Sequence, residues 1–343
     1  MLIFFLAHCL LYDPQAHLAI FYSIDVITKD KELRVDFRQR TIRDEVSCTG
    51  IGLHSGEKVR LTIKPAPADN GIKFIRKDLT GHPVIEANHE SVVDTNLSTT
   101  IGNNGYKIST IEHLMAAFFG LGIDNVRVEL DGPEVPAMDG SSAPFIFLLK
   151  SAGIKEQKNP KRFIIMKKTF NIQDGNRSVY IYPSKELKIS YTIDFHHPML
   201  RNQKYELCFS GRDFTKEISR ARTFGFLKDV QILRENGFAK GGSLDNAIVI
   251  DDFRIINDGG LRYKDEFVRH KMLDFIGDLA ILGPPIIGHF VIEKSGHFLN
   301  QFMLRKLMNS KKYWEIVTFN NPEECTKNSV KIPVLDSMEP VPA

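Results

Sequence analysis

The chain has 343 residues, with 45 Lys plus Arg against 42 Asp plus Glu, a formal net charge of +3. Hydrophobic residues at 43% and charged residues at 25% make an ordinary globular composition, which argues against a disordered chain, a collagen or a disulfide scaffold. The length suggests two domains, and so small a charge gives no sign of a nucleic-acid partner while allowing a local basic site for a phosphorylated ligand.

Residues 1–37 read as an N-terminal extension. Met1 to Tyr12 is mostly apolar, but His8, Asp13, His17 and Asp25 interrupt the apolar runs. No stretch approaches the roughly 20 residues that span a bilayer. The first basic residue is Lys29, so the positive start of a signal peptide is missing. An appended segment or an upstream start codon is the simple reading, and a short membrane-touching anchor is the other.

A strand pattern begins near Arg38. Val59 to Ile63 alternates apolar and polar residues, Pro65-Ala66-Pro67 breaks the run, and Asn70-Gly71 predicts a turn before Ile72 to Ile75. The first strong helix is predicted over Thr110 to Gly120, where Ser109-Thr110-Ile111-Glu112 reads as a capping box with Ser109 as N-cap. Asn125 to Leu130 predicts a strand and Asp131 to Gly140 a loop. Ser141 or Ser142 would then cap a helix from Pro144 to Ala152, closed by Gly153. The polar stretch Lys155 to Arg162 marks the boundary between a first domain, 38–160, and a second, 161–322.

In the second domain, strands are predicted near Phe163 to Phe170, Ser178 to Tyr182 and Leu187 to Phe195. A short helix over Asp229 to Glu235 precedes Gly241-Gly242 and a strand over Ala247 to Ile250. A long helix is predicted from about Asp265 to Leu282, stopped by Gly283-Pro284. A strand over Ile286 to Ile292 follows, and after Lys294-Ser295-Gly296-His297 a last helix runs to about Leu307. The tail, 323–343, carries prolines and no strong pattern. The two halves share a weak internal repeat: Glu112-His113-Leu114-Met115 is similar to Arg269-His270-Lys271-Met272, and each helix leads to a glycine, a strand and a second helix. A duplicated β-α-α-β unit accounts for this and could bring His113 and His270 together at an interface, where ligands often bind.

The four cysteines, Cys9, Cys48, Cys208 and Cys325, are isolated, with no CxxC pair. That supports neither a disulfide framework nor a thiolate zinc site. A reducing, cytoplasmic compartment is expected, and metal ligands are expected among His, Asp and Glu. His270 and Asp274 stand at i and i+4 on one helix face, and Asp278 extends the stripe. Val268, Met272, Phe275, Ile276 and Leu279 fall on roughly the opposite face. His-xxx-Asp offers an imidazole nitrogen and a carboxylate oxygen, both suited to zinc, while the plain alternative is a solvated polar face. His113 could be a third ligand and Glu112 a proton acceptor; the alternative is that Glu112 completes the capping box and His113 is an ordinary first-turn residue. His297 sits at a strand-to-helix junction, where a protonated histidine could stabilise an oxyanion or protonate a leaving amine, or simply face solvent. His54, at a tight turn, reads as structural or peripheral, and His196, His197 and His289 read as structural.

These stretches together resemble the UDP-3-O-acyl-N-acetylglucosamine deacetylase family, the zinc hydrolases of bacterial lipid A synthesis. The resemblance lies in Gly50-Ile51-Gly52-Leu53-His54-Ser55-Gly56, Ser109-Thr110-Ile111-Glu112-His113-Leu114, Met138-Asp139-Gly140-Ser141, Ser219-Arg220-Ala221-Arg222-Thr223-Phe224-Gly225-Phe226, Phe267-Val268-Arg269-His270-Lys271-Met272-Leu273-Asp274 and Lys294-Ser295-Gly296-His297. It covers roughly Arg38 to Asn320.

The resemblance implies an α+β fold of two β-α-α-β sandwich domains from an internal duplication, with the helices packed between two sheets. It implies Zn2+ held by His113, His270 and Asp274, Glu112 as general base, and His297 as the protonated partner of the scissile amide. Lys271 and Thr223 would lie near the reacting oxygen, and Asp278 would orient His297. Phe195 and Phe224 would contact the nucleotide-sugar. Arg177, where the family carries lysine, would contact a phosphate. Leu227, Val230, Ala239, Gly241, Gly242, Ser243, Leu244 and Ala247 match an acyl-chain passage. The implied reaction removes the N-acetyl group of UDP-3-O-(3-hydroxyacyl)-N-acetylglucosamine, giving the free amine and acetate, in a cytoplasmic monomer with no nucleic-acid partner and no stable membrane insertion. Either Glu112 or His297 could protonate the leaving amine. The rival readings are another metal-dependent amidohydrolase and a non-catalytic nucleotide-sugar binding protein.

Overall fold

Two five-stranded sheets of the same topology carry the structure, a computed structural model that describes residues 37–327 and 330–333. In the first, β1 (Val46–Ile51), β2 (Lys58–Pro65), β3 (Ile72–Arg76), β4 (Val84–Glu86) and β5 (Val126–Leu130) lie in the order β1-β2-β5-β3-β4. In the second, β6 (Phe170–Asp174), β7 (Arg177–Tyr182), β8 (Lys188–Ile193), β9 (Gln203–Cys208) and β10 (His289–Glu293) lie in the order β6-β7-β10-β8-β9. In each sheet the last strand enters between two hairpins, antiparallel to one neighbour and parallel to the other. A parallel neighbour requires a crossover, and a helix lies on the way in both cases.

The longer helices are α1 (Glu112–Leu121), α2 (Ala143–Ser151), α3 (Leu227–Glu235), α4 (Glu266–Ala280) and α5 (His297–Met308). α1 precedes β5 as α4 precedes β10, and α2 follows β5 as α5 follows β10. The two halves therefore share the sheet and its two helices, as the expected duplication requires, while α3 and the smaller sheets are not repeated. Within the strands, alternation decides the faces: in β2, Val59, Leu61 and Ile63 are buried, as are Val179 and Ile181 in β7. α2 covers the first sheet, α4 and α5 cover the second, and α1 packs on α4 between them. One contiguous apolar core runs through both halves. The two halves approach closely at Gly277, where a Cβ would lie 2.1 Å from the Glu112 carbonyl oxygen. A glycine inside a helix costs about 1 kcal/mol relative to alanine, and here it lets the start of α1 rest against α4.

Two expectations change, and the polar stretch gains a strand. The polar stretch read as a boundary forms the strand Ile154–Pro160, antiparallel to Arg38–Ile42. Its polar side chains are the outer face of a ribbon whose other strand is buried. The single strand expected over Phe163 to Phe170 is two, Arg162–Met166 and β6, in different sheets. The tail begins with a short helix, Pro322–Lys327, because the Asn321 side chain accepts the Glu324 N–H at 3.0 Å and Pro322 suits the first turn. The expectations for residues 1–36 lie outside the described residues. Among the described residues no helix is long and apolar enough to cross a membrane.

Candidate active site

The first turn of α1 faces the middle of α4. His113 Nε2 lies 3.5 Å from Asp274 Oδ1, and His270 Nε2 lies 3.3 Å from the same oxygen. The two imidazoles meet edge to face, with ring centres 5.1 Å apart. One donor atom from each of His113, His270 and Asp274 lies within 4.8 Å of the others. All three side chains are buried, at 4%, 2% and 4% exposure, so the stripe on α4 is not the solvated face that an amphipathic helix would present.

Burial favours the neutral form of His270 and pulls its pKa down to about 4, leaving Nε2 as a lone-pair donor. Its Nδ1 lies 3.0 Å from the Ala221 carbonyl, which turns Nε2 towards Asp274. Burial works against charge on Asp274, but His270 and Lys271 hold its carboxyl well below the ordinary range. Lys271 donates to Oδ2 at 2.7 Å, while Oδ1 is buried with no hydrogen-bond partner. An orphaned, ionised oxygen between two imidazole nitrogens is costly unless a cation completes it. The donor set therefore fits a metal ion.

The capping box does not form. The N-cap of α1 is Ile111, with no side-chain capping bond, and the Ser109 hydroxyl donates to the Pro133 carbonyl instead. Glu112 is fully inside, and its Oε2 accepts the Thr99 N–H at 3.0 Å, so the carboxylate points into the site rather than back over the helix end. Burial raises its pKa above the ordinary value, against the pull of His297 and His113. Thr110, two residues before it, has φ +58°, a strained state for a β-branched residue. Its hydroxyl donates to Glu134 Oε1 at 2.8 Å, and Glu134 also accepts the N–H groups of His54 and Ser55. One buried carboxylate thus ties the Leu53–Gly56 turn to the start of α1. Nor does Ser142 cap α2 through its side chain: its hydroxyl donates to the His113 carbonyl at 2.6 Å.

His297 opens α5 after Lys294, which takes φ +55°. Its Nδ1 lies 3.0 Å from Asp278 Oδ2, and its Nε2 lies 3.7 Å from Glu112 Oε1 and 3.9 Å from Asp274 Oδ2. Burial pulls its pKa down, but Asp278 and Glu112 outweigh that and raise it to about 9. The imidazole is therefore charged at neutral pH.

The remaining expected residues are placed less uniformly. Phe224 stands edge-on to Phe195, centres 5.7 Å apart, and 6.2 Å from the His270 ring, so the aromatic pair adjoins the triad. The Thr223 backbone joins the Gly140 carbonyl and the Ile248 N–H. Arg177 is exposed and pairs with Asp174 in its own hairpin. Its neighbour Ser178 pairs with Glu293, which sets it at the sheet end where Lys294 leads to His297. Leu227 and Val230 lie on α3, a helix without buried residues. Gly242, Ser243 and Ala247 lie in the loop that follows, where Lys240 and Gly241 donate to the carbonyls of His54 and Leu53. This insertion from the second half is therefore docked on the Leu53–Gly56 turn of the first. His197 and His289 bond to Asp251 and Ser190, in structural positions as expected.

Sequence reading missed Thr99, Glu134 and the Asn300–Gln301 pair. Asn300 Nδ2 and Gln301 Nε2 both donate to Asp278, and their i+3 and i+4 spacing from His297 is a usable signal. Thr99 and Glu134 lie in loops, where nothing periodic marks them.

A profile of the UDP-3-O-acyl N-acetylglycosamine deacetylases matches residues 39–309. The UDP-3-O-acyl-N-acetylglucosamine deacetylase of Myxococcus xanthus (strain DK1622) is 52% identical over 281 residues, 82% of this chain and 90% of its own length. Those of Teredinibacter turnerae and Chromohalobacter salexigens are 51% and 52% identical over 296 and 300 residues, covering 86% and 87% of this chain and 98% and 99% of their own.

Proposed function

The chain belongs to the UDP-3-O-acyl-N-acetylglucosamine deacetylase family, and we infer that it hydrolyses the acetamide of a UDP-3-O-acyl-N-acetylglucosamine, releasing acetate and the free amine, as a step of lipid A biosynthesis. The observation that carries the assignment of roles is the convergence of Glu112 and His297 on the buried His113, His270 and Asp274 set.

We assign His113, His270 and Asp274 as the metal ligands, and zinc as the ion, since two imidazoles and a carboxylate with a position left open suit it. When bound, zinc would polarise the acetyl carbonyl and make a water molecule more acidic. Glu112 Oε2 is occupied by the Thr99 N–H, so Oε1 takes the proton of the attacking water. Its raised pKa makes it a stronger base than an exposed carboxylate. His297 is charged beforehand and engages Asp278 through Nδ1. That leaves Nε2–H to stabilise the developing negative charge and to protonate the departing nitrogen. Lys271 fixes Asp274 through Oδ2, and Thr223 is assigned to the oxyanion side.

Phe195 and Phe224 are proposed to hold the nucleotide-sugar, with Arg177 on a phosphate. Leu227, Val230, Gly242, Ser243 and Ala247 are proposed to line the passage for the acyl chain; α3 without a buried face supports this. We propose two domains, 38–160 and 161–322, flanked by an extension and a tail. A monomer fits, because one chain supplies every ligand of the site. The free thiols of Cys48, Cys208 and Cys325 suit a reducing cytoplasm. The test is acetate release from a UDP-3-O-acyl-N-acetylglucosamine before and after chelation. Activity should fall by ~10²-fold or more and return with added zinc; full activity in strong chelator would defeat the reading.

A further inference from the structure

Asp278 is fully buried and takes four hydrogen bonds, from Thr99, His297, Asn300 and Gln301. Three of these donors belong to α5. The fourth, Thr99, comes from the other half of the molecule and touches every part of the proton-handling machinery. It too is fully buried. Its N–H donates to Glu112 Oε2 at 3.0 Å, and its carbonyl accepts the N–H of Ile111, the N-cap of α1, at 3.3 Å. Its hydroxyl lies 2.5 Å from Asp278 Oδ1 and 3.2 Å from His297 Nδ1.

Hydrogen counting fixes the roles. A hydroxyl has one hydrogen, and that of Thr99 is donated to Asp278 Oδ1. Towards His297 it can then only accept, so Nδ1 carries a hydrogen shared between Asp278 Oδ2 and Thr99 Oγ1. A β-branched side chain is stiff at χ1, and both backbone polar groups of Thr99 are engaged, so the hydroxyl is held in place.

We propose that Thr99 is a positioning residue that couples the base Glu112 to the acid His297, holding one through its backbone N–H and the other through its hydroxyl. This rests on the roles given above to Glu112 and His297. Without the hydroxyl, Asp278 Oδ1 retains only Gln301, at 3.1 Å. The carboxylate can then turn, and His297 Nε2 leaves its place opposite Glu112. Hydrogen bonds to charged groups are the stronger class, so the effect should be read clearly in turnover.

The experiment is a double-mutant cycle on the metal-loaded enzyme, with kcat and KM for acetate release and the thermal midpoint measured for each variant. Thr99→Val keeps the shape and the backbone N–H. It should lower kcat by about 10–30-fold with KM within twofold, and Thr99→Ser should restore kcat to within about threefold. In a His297→Ala background, Thr99→Val should cost less than about threefold. Thr99→Ala makes the same comparison should the valine variant be insoluble. A Thr99→Val enzyme with near-normal kcat, a serine variant as poor as the valine, or an equal loss in both backgrounds overturns the proposal. The last of these would leave a structural role only. A His297→Ala enzyme that keeps its activity overturns the reading of the site, and this inference with it.

Discussion

The two halves repeat one topology but give the site different things. The first half contributes Glu112 and His113, adjacent in the first turn of α1, after which the helix is apolar and buried. The second half contributes His270, Lys271, Asp274 and Asp278 along three turns of α4 and His297 from α5. The difference follows from cost. A buried polar stripe is tolerable only when each group has a partner, and the stripe on α4 finds its partners in the start of α1, Thr99 and α5. The paired scaffold thus carries its long polar face on one copy, α4, and not on the other, α1.

The largest expected effect comes from the second half. Asp274→Asn removes the proposed anionic ligand, and activity should fall by ~10³-fold or more, with added zinc recovering part of it; an assay with and without metal checks this. His297→Ala should lose ~10²-fold and also change the pH profile. If the protonated imidazole acts as proposed, activity should drop as pH rises through about 9, and that limb should vanish in the variant. The same sign holds for stability: a pKa raised in the fold from 6.5 to about 9 contributes fully below the lower value and is lost as pH rises through the upper one.

Gly277→Ala tests the crossing that joins the halves. Its Cβ would meet backbone atoms of Glu112 at 2.1–2.9 Å, so the helices must separate. A loss of about 2–3 kcal/mol in denaturant unfolding is expected, although alanine is the better helix former. Gly242→Leu should do least. Its φ lies outside the left-handed region, and a Cβ would meet the Ala239 carbonyl oxygen at 3.3 Å, a tight contact in a partly exposed loop, so only a small stability loss is expected. About tenfold in kcat/KM should be lost for a long-chain substrate and under twofold for a short-chain analogue; equal losses would remove the passage.

Much of this was legible in the sequence, for identifiable reasons. The α4 stripe is written at helical spacing, so His270, Asp274 and Asp278 could be read together. The repeat of Glu112-His113 in Arg269-His270 pointed to the pairing of α1 with α4. What misled was local chemistry with two outlets. Ser109 and Glu112 have the spacing of a capping box, but the buried carboxylate is drawn to Thr99 and His297 across the interface. The polar run 155–162 hides a strand, because an exposed strand face and a linker have the same composition. Thr99 and Glu134 act through contacts between loops distant in sequence, and no local pattern encodes those.

We propose that α1 supplies the base, Glu112, together with one ligand, His113, and α4 the other two, His270 and Asp274, and one variant separates the base from the ligands. Glu112→Gln is nearly isosteric and leaves His113, His270 and Asp274 untouched. Metal content after dialysis and acetate release should be measured on the same folded sample. About one zinc per chain should be retained while turnover falls by ~10²-fold or more. If Glu112→Gln instead loses its metal, or keeps its turnover, Glu112 is not the base and the division of labour between the halves is wrong.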